Sequence, residues 1–515
     1  MKMILGKTYN NLNLKIMKKR HLLTVFSLLF LSVLSYSFKI FEKDKDGIVM
    51  KNRRELFIDD YLLEKLENLN QRLVLPRATG EIIKFDKPWE GKFVTYVSII
   101  KDPTGYKMYY RGMADYNGKK DEVACLATSK DGLKWEKPNL KLYKVNGTLN
   151  NNVVIPPNEQ LSMHNFTVFY DQKATNPNEK YKAIGGANHS NKTRDGLYRY
   201  VSSDGIKWNL YSKDTSALFS DYALDSQNVL LWSESEQCYA IYLRAWTGNK
   251  PGLPYPKDGI RTIARSTSKD FVNWTNPVEM TFDDTELEHL YTNASVSYFR
   301  APQIIVSMPF RFMVNQKILS DEQLTEFGTD KSQWKGMSDG VFMTTRGGNN
   351  FNRKFNKSFI RPGFDKKNWS ARNNIPAKGI IQTSENEMSL YVTRNYGSPT
   401  VNLERLSLRI DGFSNLEADY EEGFAITKPV IIKSKNMFAN FETATSGYLI
   451  VEVLDLDGNP IPEYSGTNSL KILGDEIDKK ITWNNHSDLS NLIDKKVRFK
   501  FRLKDANLYS FALMD

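Results

Sequence analysis

A short polar turn followed by an aromatic residue recurs along the chain at a long, nearly regular interval. It reads "SKDGLKW" at Ser129–Trp135 and "SSDGIKW" at Ser202–Trp208, and looser versions reach Trp274, Phe351 and Phe413. The copies lie about 60 to 80 residues apart, and such a period is typical of a repeat architecture. Where Asp-Gly occurs it suits a tight turn, a Ser or Asp side chain suits capping, and the aromatic residue suits the start of an outer strand. The pattern predicts one unit repeated five times.

Two or three apolar or alternating runs precede each turn, so each unit reads as a four-stranded sheet. Five such sheets repeated radially predict an all-β chain that folds as a five-bladed β-propeller. The run "RELFIDDYLLE" (Arg54–Glu64) reads as the N-terminal strand that completes the last blade. Within this run Asp60 is placed either to cap a helix before "YLLEKL" or to serve a site.

The pattern changes near residue 430, where the turns stop and longer strands begin. In the segment around Val497, apolar residues alternate with Arg498, Lys500 and Arg502, which is typical of a sheet with one buried face. We therefore predict a propeller over 54–430 and a C-terminal β-sandwich over 431–515.

The first residues resemble an export signal. Lys18, Lys19 and Arg20 precede an apolar run at 22–34, and Ser35-Tyr36-Ser37 offers a cleavage pattern. This predicts a signal peptide at 1–37, a linker at 38–53 and an exported protein, periplasmic or extracellular. The alternative is an uncleaved anchor, although the run is shorter than the ~20 apolar residues that span a bilayer.

The charge pattern argues against a nucleic-acid partner. The net charge is +11, six of the basic residues fall within 1–37, and the others are interspersed with acidic residues. An anionic polysaccharide would suit the remaining positive excess, and a solvated basic surface would explain it equally.

No cofactor or metal is expected. The five histidines are scattered, and neither a dinucleotide fingerprint nor a phosphate-binding loop appears. Cys125 and Cys238 lie inside apolar runs, which predicts two buried thiols rather than a disulfide.

The repeated turns, the export signal and the C-terminal β-sandwich resemble the propeller glycoside hydrolases, namely the invertase and fructosidase family 32 and the arabinosidase and xylosidase family 43. This resemblance covers residues 54–515. It implies an active-site funnel at the propeller axis, where innermost strands present three carboxylates and a glutamate is the general acid. Glycosidic hydrolysis uses two carboxyl groups in different protonation states, which crowding in a funnel promotes.

The residues that begin each inner strand are therefore the candidates for catalysis. We predict Glu288 as general acid, Asp225 as nucleophile or base, and Glu90 as the third carboxylate. For each of them, capping a turn or forming an ion pair is the alternative. Polar residues at or near the same positions are predicted to bind substrate: His164, Asn165, Arg111, Arg244, His289, Asn373 and Asn374.

These features predict an exported glycoside hydrolase that acts on a plant or algal polysaccharide or its oligosaccharides. The arginines at strand ends, including Arg311, would suit uronate or sulfated units, and structural ion pairs would explain them too. The alternative from another class is a non-catalytic carbohydrate-binding propeller. A glycoside phosphorylase is disfavoured, because it needs intracellular phosphate.

Overall fold

A computed structural model describes residues 47–114, 122–157, 164–186, 196–211, 217–250 and 252–515. Five sheets form the blades of a propeller, and a ten-stranded sheet forms a second unit. The prediction of an all-β chain with a five-bladed propeller and a β-sandwich is confirmed. The predicted signal peptide lies outside the described residues. Among those described, no helix is long and apolar enough to cross a membrane.

The blades follow one another along the chain. In each blade the strands are antiparallel and lie side by side, from the innermost strand at the axis to the outermost. The strands of blade 1 are Thr95–Asp102, Gly105–Met113, Glu122–Ser129 and Val153–Ile155. Those of blade 2 are Thr167–Tyr170, Tyr181–Gly185, Tyr198–Ser202 and Asn209–Leu210. Those of blade 3 are Val229–Ser233, Cys238–Trp246, Arg261–Ser268 and Val278–Glu279.

Blades 4 and 5 are less regular. Blade 4 consists of Val296–Tyr298, Ala301–Ser307 and Met343–Thr345, with a hairpin of Phe310–Met313 and Met337–Gly340. An α-helix, Asp321–Glu326, lies between the two hairpin strands. Blade 5 consists of Ile375–Pro376, Ile381–Gln382, Glu387–Arg394, Asn402–Arg409 and Arg77–Lys84. Short 3₁₀ turns occur at Pro177–Glu179, Lys331–Gln333, Lys366–Trp369, Pro462–Tyr464, Gly466–Asn468 and Ser490–Leu492.

The repeated turns have the predicted geometry. The Ser129 hydroxyl accepts hydrogen bonds from the backbone amides of Asp131 (3.3 Å) and Gly132 (2.8 Å). The Asp131 carboxylate accepts from the backbone amides of Leu133 and Lys134, at 2.7 and 2.8 Å. The Trp135 indole donates to the Gly132 carbonyl. Ser202 and Asp204 repeat these amide contacts in blade 2. The turns are therefore capped by their own side chains.

Neighbouring blades are joined by a recurring cluster of an aspartate, a lysine and a tyrosine. In blade 2, Asp171 accepts from Lys182 at 2.8 Å and from the hydroxyl of Tyr239 in blade 3 at 2.6 Å. Asp102 of blade 1 contacts Lys107 and accepts from Tyr181 of blade 2 at 2.6 Å. Asp102 also caps its own turn by accepting from the Thr104 amide. All these acidic and basic groups are buried, so each cluster is a specific polar contact between blades.

Removing one hydroxyl from such a cluster should destabilise the propeller. We expect Tyr239→Phe to lower the free energy of unfolding by about 1.5 to 3 kcal/mol, because a buried hydrogen bond to a charged group is lost. Urea denaturation would measure this, with Tyr420→Phe as a control, since Tyr420 is 63% exposed. Equal stability of the two variants would show that the Tyr239 hydrogen bond contributes nothing to the free energy of unfolding.

The strand that closes the ring is not the one predicted. Arg77–Lys84 pairs antiparallel with Asn402–Arg409 and completes blade 5. The run Arg54–Glu64 contributes Arg53–Leu56, which pairs instead with Lys496–Met514 of the second sheet. The physical reason is burial: an outermost strand needs few apolar residues, whereas Phe57, Leu62 and Leu63 of the run lie in the core of the sandwich. The residues around Asp60 form bends and no helix, so the helix-cap interpretation is wrong.

The second sheet takes strands from both sides of the propeller, so the predicted boundaries of 54–430 and 431–515 shift. Its strands are Ile48–Met50, Arg53–Leu56, Leu63–Glu67, Asn70–Leu73, Ser414–Ala418, Gly423–Thr427, Val430–Ile432, Asn436–Leu454, Asp475–Ile481 and Lys496–Met514. The N-terminal strands join it because they pair, directly or through neighbours, with the long last strand.

The long last strand bends to make a sandwich. Phe499 and Phe511 would lie about 40 Å apart on a straight strand, yet their ring centroids are 5.7 Å apart. Phe501 also contacts Phe511, at 5.2 Å. The two halves of the strand therefore face each other across one apolar core. Cys125 and Cys238 are buried and free in blades 1 and 3, which confirms the prediction of two thiols.

Candidate active site

One cavity is lined by all five blades. Each blade contributes one residue from the start of its inner strand or the segment before it: Tyr96, His164, Asp225, Tyr291 and Arg372. Thr95, Arg111, Met113, Phe310, Ile375 and Tyr396 complete the lining. The blades all meet only at the propeller axis, so this is the axial cavity. Its volume is about 90 Å³, room for several water molecules.

The backbone is strained at two of these positions. Tyr96 has φ +55° and Arg372 has φ +51°, in the left-handed region that non-glycine residues rarely adopt. Such strain persists only where surrounding contacts enforce it, and it is typical of functional sites.

The Asp225 side chain is held in the cavity by buried amides beneath it. Asn165 donates to the carbonyls of Leu224 and Ser226, one residue on either side of Asp225, and Asn228 donates to the same two carbonyls at 3.0 and 3.1 Å. The carboxylate itself is 28% exposed and contacts Arg244, which is 3% exposed. Asn165 is fully buried, so it positions Asp225 and does not face a substrate.

His164 is fixed between an acid and a base. Its Nδ1 lies 2.7 Å from the Glu122 carboxylate, and Arg111 lies 3.1 and 3.3 Å from its two ring nitrogens. The tautomer that donates from Nδ1 to Glu122 and accepts at Nε2 from Arg111 satisfies this arrangement. Arg111 also donates to the Phe93 carbonyl (2.8 Å) and the Tyr396 hydroxyl (3.0 Å), so its position is set by three neighbours.

Three arginines surround Tyr291. The guanidinium carbons of Arg244 and Arg261 each lie 5.1 Å from the centre of its ring, and Arg372 hydrogen-bonds to it. Burial and the neighbouring guanidinium groups of Arg244 and Arg372 lower the pKa of Arg261 to about 10, even though Tyr291 opposes the shift. The cationic charges are therefore crowded.

The cavity and its surround carry an excess of positive charge. Four guanidinium groups, of Arg111, Arg244, Arg261 and Arg372, face two carboxylates, of Asp225 and Glu122. Guanidinium groups bind carboxylates and sulfates through paired hydrogen bonds. This cavity is therefore suited to an anionic ligand.

Glu90 is not among the residues that line the axial cavity. Its side chain is fully buried within blade 1, where it accepts from the Tyr110 hydroxyl at 2.7 Å and from Lys137 at 2.8 Å. The structure thus gives it the ion-pair alternative that the sequence left open.

Glu288 and His289 also lie outside the lining. One oxygen of Glu288 contacts Arg311 at 3.0 Å and the other contacts Arg353 at 2.7 Å. His289 accepts from the backbone amide of Arg261 at 3.1 Å, beside the Trp246 ring. The structure does not bring Glu288 into the cavity with Asp225, so the two do not form the predicted pair.

Asn373 and Asn374 do not line the cavity, and they hold neighbouring backbone in place. Both are fully buried. Asn373 accepts from the backbone amide of Tyr396 at 3.2 Å, and Asn374 donates to the carbonyls of Ser338 (2.8 Å) and Asn368 (3.0 Å). They fix the segment that carries Arg372. Of the predicted site residues, the cavity lining contains Asp225, His164 and Arg111, with Arg244 directly behind Asp225.

Sequence reasoning missed the aromatic and some of the charged members of the site. Tyr96, Tyr291 and Tyr396 were not singled out, and neither were Glu122 and Arg261. Tyr291 lies in the same strand-entry segment as Glu288 and His289, so its position carried the signal. Nothing in the sequence marks Glu122, because it reaches the cavity only through His164.

A larger hollow lies at the surface beside the hairpin of blade 4. It has a volume of about 820 Å³ and is lined by Trp369, Phe364, Met313 and Arg311 among others, all from blade 4 and the segment before blade 5. Among the described residues, no group of three or more His, Cys, Asp or Glu side chains could hold a metal ion.

No protein-family model matches the sequence, and neither does any curated protein. Solved structures are similar in fold. One is an N-acetylgalactosamine deacetylase from F. plautii in complex with blood group B trisaccharide, at 11% identity and a TM-score of 0.41, covering 67% of this chain and 97% of the other. Another is an α-L-arabinofuranosidase from Fusarium graminearum in complex with an iminosugar inhibitor, at 11% identity and 0.39, covering 65% and 99%.

A third similar structure comes from work on the GH130 family of mannoside phosphorylases, at 14% identity and a TM-score of 0.38, covering 68% of this chain and 94% of the other. At such values the activity of a similar protein does not carry over to this chain. The functional assignment therefore depends on the axial cavity itself.

Proposed function

We propose that the protein is an exported glycoside hydrolase that acts on an anionic saccharide in the axial cavity. One observation carries this proposal: a cavity lined by all five blades places a partly exposed carboxylate, Asp225, beside a cluster of arginines. A carboxyl group supplies the proton transfer that glycosidic cleavage needs, and the arginines supply recognition of a charged sugar.

The arginines also explain how a charged substrate would be selected. Arg111 and Arg372 line the cavity, and the guanidinium carbons of Arg244 and Arg261 lie 5.1 Å from the centre of the Tyr291 ring. A uronate carboxylate or a sulfate in the cavity would offset this crowded charge, and the low dielectric of an enclosed site would strengthen the attraction. A neutral sugar would add no negative charge to oppose the guanidinium groups.

A matched pair of substrates tests the proposal. The protein should release sugar from a uronic acid polysaccharide or its oligosaccharides and not from the same material after chemical reduction of its carboxyl groups. Equal activity on both would remove the anionic requirement. A protein that binds the acidic oligosaccharide without ever cleaving it would instead be the non-catalytic carbohydrate-binding propeller.

Arg372 offers a quantitative test of recognition. We expect Arg372→Gln to weaken binding of an acidic oligosaccharide by about 10-fold to 100-fold, because a charge-assisted hydrogen bond is lost. Isothermal titration calorimetry would measure Kd for the acidic and the carboxyl-reduced ligand. Arg77→Gln is the control, because Arg77 is exposed on the outermost strand of blade 5. The same loss in both variants would contradict a specific role for Arg372.

A further inference from the structure

Hydrolysis by Asp225 alone is incomplete. Glycosidic cleavage by water needs one group that donates a proton to the leaving oxygen and another that accepts a proton from water. Among the described residues that line the axial cavity, Asp225 is the only carboxylate. The second group must therefore come from another residue type.

Tyr291 is placed to supply it. Its ring is stacked on Phe310, with centroids 4.7 Å apart and an interplanar angle of 16°, which fixes the direction of the phenol. The side chain lines the cavity and is only partly buried, so water reaches it. Tyr291 also belongs to the strand-entry segment of blade 4, equivalent to the segment that carries Asp225 in blade 3.

The charges around Tyr291 favour its anionic form. Burial raises the pKa of Tyr291, but the guanidinium groups of Arg244, Arg372 and Arg261 outweigh burial, and the net shift is downwards. Tyr96 shows the opposite behaviour, because burial raises its pKa despite Arg111. The charged and titratable groups that face Tyr291 come from every blade: Tyr96, Arg111, His164, Asp225, Arg244, Arg261, Tyr396, Arg372 and, on its own segment, His289.

We propose that Tyr291 is the proton donor of the axial cavity, working as a neutral phenol together with the Asp225 carboxylate as the proton acceptor. This role rests on the proposed hydrolase function. The Asp225 carboxylate takes a proton from a water molecule, and the water oxygen forms a bond to the anomeric carbon. The bond from that carbon to the leaving oxygen breaks, and the leaving oxygen takes the proton of the Tyr291 phenol. Solvent then returns one proton from the Asp225 carboxyl group to the phenolate, and the anomeric configuration is inverted.

The ionisation can be measured without any substrate. Ultraviolet difference absorbance across a pH titration of the wild-type protein should show one phenolate forming below the range in which ordinary tyrosines ionise. This step should be missing in Tyr291→Phe and retained in Tyr420→Phe, whose tyrosine is exposed. Arg372→Gln should move the step to higher pH. Identical titrations of wild type and Tyr291→Phe would overturn the proposal.

Kinetics separate the role of Tyr291 from the proposed function. On an acidic oligosaccharide, Tyr291→Phe should lower kcat by about 10²- to 10⁴-fold with little change in KM, the effect of losing a general acid. The rate of the wild type should fall as the phenolate forms. Hydrolysis that continues unchanged in Tyr291→Phe overturns the role of Tyr291 alone. A wild-type phenolate without hydrolysis of any acidic saccharide overturns the proposed function and the role with it.

Discussion

Replacing Asp225 by asparagine should lower kcat by about 10²- to 10⁴-fold, because the variant keeps the shape of the side chain and loses the carboxylate that accepts a proton. Binding of an acidic oligosaccharide should persist, since Arg111 and Arg372 still line the cavity. Initial rates of sugar release, together with calorimetric Kd values, would show this separation. A non-catalytic binding protein would have no turnover to lose.

Glu288→Gln is the matched control for this experiment. The structure places Glu288 between Arg311 and Arg353 and outside the cavity lining, so its amide variant should change thermal stability and leave kcat near the wild-type value. If Glu288→Gln abolished turnover and Asp225→Asn did not, catalysis would have to be sought beside the blade 4 hairpin.

The second large effect concerns a lysine enclosed within the propeller. Lys378 of blade 5 donates from Nζ to the Val168 carbonyl of blade 2 at 2.7 Å, and its backbone bonds to Val97 and Ile99 of blade 1. The residue is 3% exposed, and among the described residues no carboxylate forms an ion pair with it. Burial lowers the pKa of Lys378 to about 7.

Stability should therefore depend on pH through Lys378. Between pH 7 and the unfolded value of about 10.4, the unfolded chain holds a proton that the folded chain has released, so stability rises with pH by about 1.4 kcal/mol per unit. Below pH 7 the folded chain also holds the proton, and the full cost of burying the charged amine lowers the free energy of unfolding. There we expect Lys378→Met to stabilise the protein by about 2 to 4 kcal/mol, which is this cost less the cost of leaving the Val168 carbonyl unpaired.

Urea denaturation at several pH values between 6 and 9.5 would measure the difference between wild type and Lys378→Met. Lys84→Met provides the control, since the side chain of Lys84 is 73% exposed. Parallel curves of stability against pH for the wild type and Lys378→Met would contradict the pKa of the buried amine.

The sequence predicted the parts of the fold that depend on local chemistry. The turn at Ser129–Trp135 is capped by its own side chains, so its residues identify it wherever it occurs. The period of the turns predicted the blades and located the strand entries, and two residues predicted from those entries, His164 and Asp225, line the axial cavity. The closing strand Arg77–Lys84 was not found, because it is an exposed edge whose pairing partner lies far away in the chain.

The partners of a charged residue were harder to predict. Glu90, Glu288 and Asp225 have similar positions relative to their strands, and only the packed structure shows that basic groups bind both oxygens of Glu288 and that Lys137 binds Glu90. Tyr291 has no distinctive sequence, because its chemistry comes from arginines on three other segments. Long-range neighbours, rather than local pattern, decide which polar residue becomes functional.

The central claim is that the axial cavity receives the anionic saccharide. The most direct measurement is a crystal structure of Asp225→Asn soaked with an acidic oligosaccharide. We predict a sugar ring in the axial cavity, with its charged group at Arg372 and its anomeric carbon between residue 225 and Tyr291. A saccharide bound only in the surface hollow beside Trp369 and Phe364, with none at the axis, would contradict the claim.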